Sequence, residues 1–339
     1  MRFLSATALI VLFAPALHTV AQQHVPPAPD STTAQPMQPA QEQPANTPSA
    51  PAPSAAPEFP KPDPANFTAA SPTKEIVNAF LQANFGFDEN RMWQVQAILK
   101  TPVNGYSKVI VLIGDKTGKV KQPQILSFIT LPDGKHIVAG DEILAFGDHP
   151  FAGARQQLQE RASGPYRGAA SKDLELVEFA DFQCPHCKEA QANMEKLAVD
   201  YPKARIVFEN YPLPYHPEAL NSGEYGVCVT RLGGSSAFFQ FAAAVFDGQD
   251  GLATPDGATL TLNAAVVKAG LDPAKVAACA ATPDVKANID ASVQLGKDLN
   301  INETPTLVVN GRAISANVPY DVLKKIIDYQ IKVDGVSGQ

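Results

Sequence analysis

Long apolar runs, basic clusters and cysteines are scarce in this 339-residue chain, and each scarcity closes off a class of function. Its 27 basic and 34 acidic residues leave a net charge of −7 without any basic run. That argues against nucleic acid or an anionic membrane surface as the main partner. One apolar run stands out, Phe3 to Leu17, behind the positive start Met1-Arg2 and broken by Pro15. Nothing after it approaches the ~20 residues that a membrane span needs. Thr19-Val20-Ala21 offers small residues for cleavage before Gln22, so residues 1–21 have the layout of a secretory signal peptide. An uncleaved N-terminal membrane anchor is the competing reading. No cysteine follows the run, which excludes a lipid anchor built on one. The mature chain is expected to be soluble outside the cytoplasm, where paired cysteines can persist.

What is abundant is proline, and it is unevenly placed. Residues 22–72 hold 14 of the 30 prolines among Ala, Gln, Ser and Thr, with few large apolar side chains. Such a segment cannot bury enough surface to offset its ordering entropy and reads as a disordered linker. The 267 residues that remain make one large domain or two small ones.

Residues 73–150 read as a small α+β domain. Ser71-Pro72 offers a helix start, Ile76, Val77, Phe80 and Leu81 share one helical face, and Gly86 is a natural stop. Four strand-like runs follow, near 92–100, 108–113, 125–131 and 136–143; the first alternates Trp93, Val95, Ala97 and Leu99 with polar neighbours. Turn residues at Asn104-Gly105, 115–118 and Pro132-Asp133-Gly134 complete an antiparallel meander. The domain has no cysteine, and His136 and His149 stand alone, so positioning or oligomerisation suits it better than chemistry. Residues 151–171 supply a connecting helix and linker, closed by Gly164-Pro165.

Chemistry concentrates further on. The strand pattern Leu174 to Phe179 runs through Asp181-Phe182-Gln183 into Cys184-Pro185-His186-Cys187, and then into a helix carrying Ala190, Met194, Leu197 and Tyr201 on one face. A Cys-x-x-Cys at a strand-to-helix junction makes a reactive dithiol, because unpaired helical N–H groups and the positive end of the macrodipole favour the first thiolate. Pro185 suits the first helical position, and a protonated His186 would add a cation near the sulfur. Cys187 then serves as the resolving thiol. Other readings are weaker. Haem attachment needs His at 188, which is Lys, and zinc needs a second close pair, whereas Cys228 and Cys279 lie about fifty residues apart. A cysteine hydrolase pairing Cys184 with His216 leaves Cys187 unexplained, and a structural disulfide across two residues would be strained.

Residues 172–333 resemble a thioredoxin-fold thiol:disulfide oxidoreductase of the DsbA type, for which Cys-Pro-His-Cys is a typical active-site tetrapeptide. Glu178, six residues before Cys184, matches the family's buried acid beneath the active site. Glu209-Asn210-Tyr211-Pro212-Leu213 with His216-Pro217 resembles the strand end that leads into a helical insertion, here about 217–300. Thr304-Pro305, opening the run to Arg312, resembles the cis-proline loop and terminal hairpin, which implies a groove where an extended substrate pairs at Thr304 and Pro305. Some DsbA relatives carry a second disulfide, which implies a structural bridge between Cys228 and Cys279; two buried free thiols are the other reading. Within 73–150, Leu131 to Gly140 is similar to part of the dimerisation domain of DsbC/DsbG-type isomerases, and a Thr before the cis-proline is commoner among isomerase-like relatives.

The resemblance implies a thioredoxin fold with a helical insertion over 172–339, behind the small α+β domain. It implies a periplasmic oxidase or isomerase that exchanges disulfides with thiol-containing proteins and uses a membrane redox partner, with no metal or cofactor. It also implies a homodimer through 73–150. A non-catalytic chaperone or peptide-binding module on the same fold is the alternative.

Overall fold

A computed structural model of the chain describes residues 58–118 and 122–337. The signal-peptide reading and most of the linker reading lie outside these residues.

The first domain packs one helix on a five-stranded sheet. Helix α1 (Lys74–Phe85) starts at Thr73, whose hydroxyl accepts from Ile76 N–H. The expected start at Ser71-Pro72 is displaced: that peptide is cis, and the Ser71 carbonyl accepts from the Ser107 hydroxyl instead (2.6 Å). Val77, Phe80 and Leu81 face the sheet, whereas Ile76 is 42% exposed, off the stripe assigned to it. Strands β1 (Arg91–Lys100), β2 (Ser107–Asp115), β3 (Gln124–Thr130), β4 (His136–Ala139) and β5 (Glu142–Ala145) form an antiparallel meander in chain order. The run 136–143 is thus two strands, folded back at Gly140, whose φ of +64° a side-chain-bearing residue rarely adopts. A bulge between Val95 and Ala97 shifts the alternation of β1, so Ile98 enters the core in place of Leu99. Phe80, Phe128 and Phe146 meet there with ring centroids 5.0–6.0 Å apart. Each buried phenylalanine contributes about 2 to 3 kcal/mol at most.

Order begins earlier than composition implies. Residues 58–72, assigned to the linker, run along the sheet: Thr68 and Ala69 N–H both donate to the Ile98 carbonyl (3.0 Å), and Asp63 caps the single turn Pro64–Asn66. Phe67 packs on the domain core, and Phe59 lies over Gly114, where a Cβ would stand 3.1 Å from the ring. Two aromatics supply the apolar area that the Ala/Pro-rich stretch lacks.

Helix α2 (Ala152–Arg161) leads to a second sheet of order β10-β9-β7-β8-β6. Its members are β6 (Tyr166–Gly168), β7 (Glu175–Ala180), β8 (Arg205–Asn210), β9 (Thr306–Val309) and β10 (Arg312–Ser315), with only β7 and β8 parallel. Every position of β7 is buried, as a central strand covered on both faces requires. Helix α3 (Pro185–Asp200) joins β7 to β8, and α8 (Tyr320–Asp334) closes the chain. Asn310 and Gly311, both at positive φ, turn β9 into β10.

Between β8 and β9 lie α4 (Ala219–Asp247, kinked at Gly234), α5 (Pro255–Lys268), α6 (Pro273–Ala280) and α7 (Pro283–Asp298). The last three each begin with proline at the first helical position behind Thr254, Asp272 and Thr282. Phe238, Phe241 and Phe246 of α4 pack on Phe182, and Cys228 and Cys279 are disulfide-bonded between α4 and α6. Among the described residues no helix is long and apolar enough to cross a membrane.

Arg312 joins the two domains. Buried on β10, it donates to the Asn84 carbonyl (3.0 Å) and the Ala83 carbonyl at the C-terminal end of α1, and to Gln330 Oε1 (3.1 Å). A cation there answers both the orphan carbonyls and the negative end of the helix. Burial lowers its pKa only to about 10, so it stays charged. Tyr329 of α8 adds a hydroxyl donation to the Gln82 carbonyl (2.7 Å).

Candidate active site

Strand β7 ends at Ala180 and the chain turns within four residues into α3, so whatever side chain stands at 184 meets the N-terminal end of that helix. Cys184 is the N-cap residue and Pro185 the first helical residue. Cys184 N–H donates to the Asp181 carbonyl (3.1 Å), and the Cys187 N–H to the Cys184 carbonyl (3.1 Å). The two thiols are free and diverge in character. Cys184 is lowered to about 5, chiefly because the Cys187 thiol donates to it, with help from Thr304 and the Cys187 and His186 N–H groups; partial burial opposes the shift. Cys187 is pushed up, first by burial and then by Cys184. At neutral pH the first sulfur is a thiolate and the second a thiol, the division that nucleophile and resolving group require.

The other residues singled out from the sequence fall into place unequally. The Thr304–Pro305 peptide is cis, and the Thr304 carbonyl oxygen lies 3.6 Å from Cys184 Sγ. His186 points elsewhere than expected: its Nδ1 is 2.9 Å from Glu189 Oε2 on an exposed face, which raises the imidazole's pKa. It acts on Cys184 through its backbone N–H and, when protonated, through its charge, which the Cys184 thiolate stabilises in turn. Glu178 is buried, and desolvation raises it to about 7 against the opposing hydrogen bond from Gln191 Nε2 (3.0 Å). The same amide nitrogen lies 3.1 Å from the Cys187 carbonyl, so Gln191 bridges the buried acid and Cys187. Cys228 and Cys279 sit apart from this site in their own bridge.

Three participants escaped the sequence reading. Gln191 could have been found as the residue one helical turn after Cys187. Asp181 is buried with both carboxylate oxygens used: Oδ1 accepts from Gln183 N–H (2.7 Å), and Oδ2 from Leu213 N–H (2.8 Å) and His216 Nδ1 (2.7 Å). Its own N–H points at Cys187 Sγ (3.4 Å). His216, weighed as a base for Cys184, is thus held by Asp181. Gln249, between α4 and α5, donates to the Phe182 and Cys184 carbonyls (2.8 and 2.9 Å). Sixty-five residues of chain separate it from Cys184, and no local signal marks it. Among the described residues no group of three or more His, Cys, Asp or Glu could hold a metal.

Comparison with known proteins follows the same region. A family model described as Thioredoxin matches residues 160–329. The chain is 29% identical over 147 residues to Na(+)/H(+) antiporter NhaA 3 of Salinispora tropica, an alignment that takes 43% of this chain and 21% of that one. It is 24% identical over 193 residues to the probable disulfide bond formation protein D of Bacillus cereus, covering 55% of this chain and 83% of the other. It therefore spans only a fifth of the antiporter's length. Among solved structures, a thioredoxin-like oxidoreductase from Silicibacter pomeroyi superposes with a TM-score of 0.44 at 23% identity, over 52% of this chain and 98% of the other.

Proposed function

The chain belongs to the thioredoxin family, and from that premise we propose that it is an extracytoplasmic thiol:disulfide oxidoreductase that oxidises the thiols of client proteins through Cys184 and Cys187. The opposite displacement of the two thiols carries this reading: a stabilised Cys184 thiolate favours the reduced dithiol and so makes the corresponding disulfide a stronger oxidant. In the forward step a client thiolate attacks Sγ of Cys184, the Cys184–Cys187 bond breaks, and Cys187 leaves as a thiolate that takes up a proton. A second client thiolate then attacks the client sulfur of the mixed disulfide, and Cys184 leaves. Two electrons pass to the enzyme and one proton to Cys187, while Cys184 remains a thiolate, so a membrane redox partner must reoxidise the pair. From the reduced state, the Cys184 thiolate instead attacks a client disulfide and releases one client thiolate; a different client thiolate then attacks the client sulfur of the mixed disulfide and frees Cys184, which isomerises the client with no net electron transfer.

Location outside the cytoplasm draws support from the Cys228–Cys279 bridge and from the N-terminal apolar run. A homodimer through the first domain draws support from the sheet face turned away from α1. There Leu112 stands beside Ile125, Ile129 beside Val138, and Val138 beside Ile143, with Ile125 71% and Ile143 59% exposed. Light scattering on the protein, and on the Ile125→Lys/Ile143→Lys variant, tests the assembly: a dimer reduced to monomer is expected, and a monomeric parent rejects it.

The deciding experiment is the reduction potential of the Cys184 and Cys187 pair against glutathione. An oxidase is expected above about −180 mV, whereas a value near −270 mV, as in thioredoxin, rejects oxidation as the physiological direction. Cys184→Ser must abolish peptide oxidation. A non-catalytic chaperone would instead protect clients equally well in that variant.

A further inference from the structure

The chain that follows β8 reads Pro212-Leu213-Pro214-Tyr215-His216-Pro217, three prolines in six residues, so its backbone has little freedom before any contact is counted. Contacts then tie it to the active-site turn. Leu213 N–H and His216 Nδ1 both reach Asp181 Oδ2 (2.8 and 2.7 Å), and Glu218 N–H donates to Gln183 Oε1 (2.8 Å). Asp181 in turn presents its N–H to Cys187 Sγ. Leu213 is buried and His216 largely so, but Tyr215 between them is 72% exposed. Its ring stands edge-on to the His216 imidazole, centroids 4.7 Å apart at 73°. Its hydroxyl has no protein hydrogen-bond partner among the described residues. The phenol's pKa is raised, first by desolvation and next by the charge of Cys184.

Apart from its edge contact with His216, this large aromatic stands in solvent on a loop pinned to the active-site turn through Asp181 and Gln183. Tyrosine in that position offers contact area at small entropic cost and a hydroxyl for a polar edge. We infer that Tyr215 is a substrate-binding side chain, a fixed platform that packs against an apolar or aromatic residue flanking the reacting cysteine of an extended client segment. This rests on the exchange of client thiols at Cys184 proposed above and adds a preference to it. Cysteines destined for a folded core lie among apolar neighbours, since cysteine is among the most buried residue types. A platform that favours such neighbours selects cysteines that belong in bridges. Asp181 and His216 act as positioning residues, holding the platform in register with the dithiol.

Two dithiol peptides test this, identical except for Phe or Ser beside the first cysteine, together with dithiothreitol as a client without side chains. The protein is expected to oxidise the Phe peptide with a KM about tenfold below that of the Ser peptide. Tyr215→Ala should remove that difference by raising KM for the Phe peptide, with kcat held within about twofold, while Tyr215→Phe keeps most of it. The Cys184 titration and the dithiothreitol rate should stay put in Tyr215→Ala. Equal KM values for the two peptides, or a preference that survives Tyr215→Ala, overturn the inference. A protein inert even to dithiothreitol instead overturns the exchange reading on which it rests.

Discussion

At Cys184 a single thiol is reshaped by groups contributed from three places in the chain. The helix start supplies N–H donors, Cys187 supplies a thiol, and Thr304 arrives from 120 residues away. Titrated through thiolate absorbance, Cys184 is expected to ionise near pH 5 and Cys187 not at all in the neutral range. The sign for stability follows from the depressed value. In the reduced protein the contribution is full above the usual 9.0, shrinks as pH falls, and vanishes below about 5. Glu178 works in the opposite sense. Its raised pKa means that ionisation opposes folding from the usual 4.5 upward, with the loss complete above about 7. Glu178→Gln is therefore expected to stabilise the protein at pH 8 by up to about 3 kcal/mol relative to pH 4, read from urea unfolding at both pH values. It should also slow resolution at Cys187, to which Gln191 links it.

Among the elements, α3 was the most legible, because Pro185 at the first helical position is a local signal, whereas the helical insertion followed from the resemblance. The errors lie where tertiary context overrides such signals. Ser71-Pro72 has the look of a helix start, yet Thr73 takes that role, and the bulge in β1 exchanges Leu99 for Ile98 in the core. Residues 58–72 read as linker because their ordering depends on two aromatics meeting a sheet that a composition count cannot see. The bridge between α4 and α6 closes a 51-residue separation, for which the chain-entropy model gives roughly 4 kcal/mol. A Cys228→Ala/Cys279→Ala variant should lose about 2 to 4 kcal/mol in denaturant unfolding and leave the Cys184 titration unmoved.

For the whole molecule, the question is whether two domains behave as one. At their junction Arg312 is charged and buried against carbonyls of α1, with the Phe151 ring centroid 4.3 Å from its guanidinium. Replacing it with methionine fills similar space and leaves the Ala83 and Asn84 carbonyls without that partner, at a cost of about 2 to 4 kcal/mol. The expected result in calorimetry is one unfolding transition splitting into two, with the potential of the dithiol unchanged. A single transition that merely shifts would mean that other contacts, such as Tyr329 with Gln82, suffice to couple the domains.

The sequence by itself placed Cys-Pro-His-Cys where a strand runs into a helix, because that junction is a short-range pattern, and the resemblance it carries implied the thioredoxin fold around it. Only the tertiary structure decided that His186 turns to Glu189, that Asp181 takes His216, that Gln249 clamps the active-site turn, and that Arg312 fastens one domain to the other. Each of these depends on a polar group finding its partner across a folded core. Burial makes such a pairing obligatory, and residues distant in the chain become neighbours only once that core has formed.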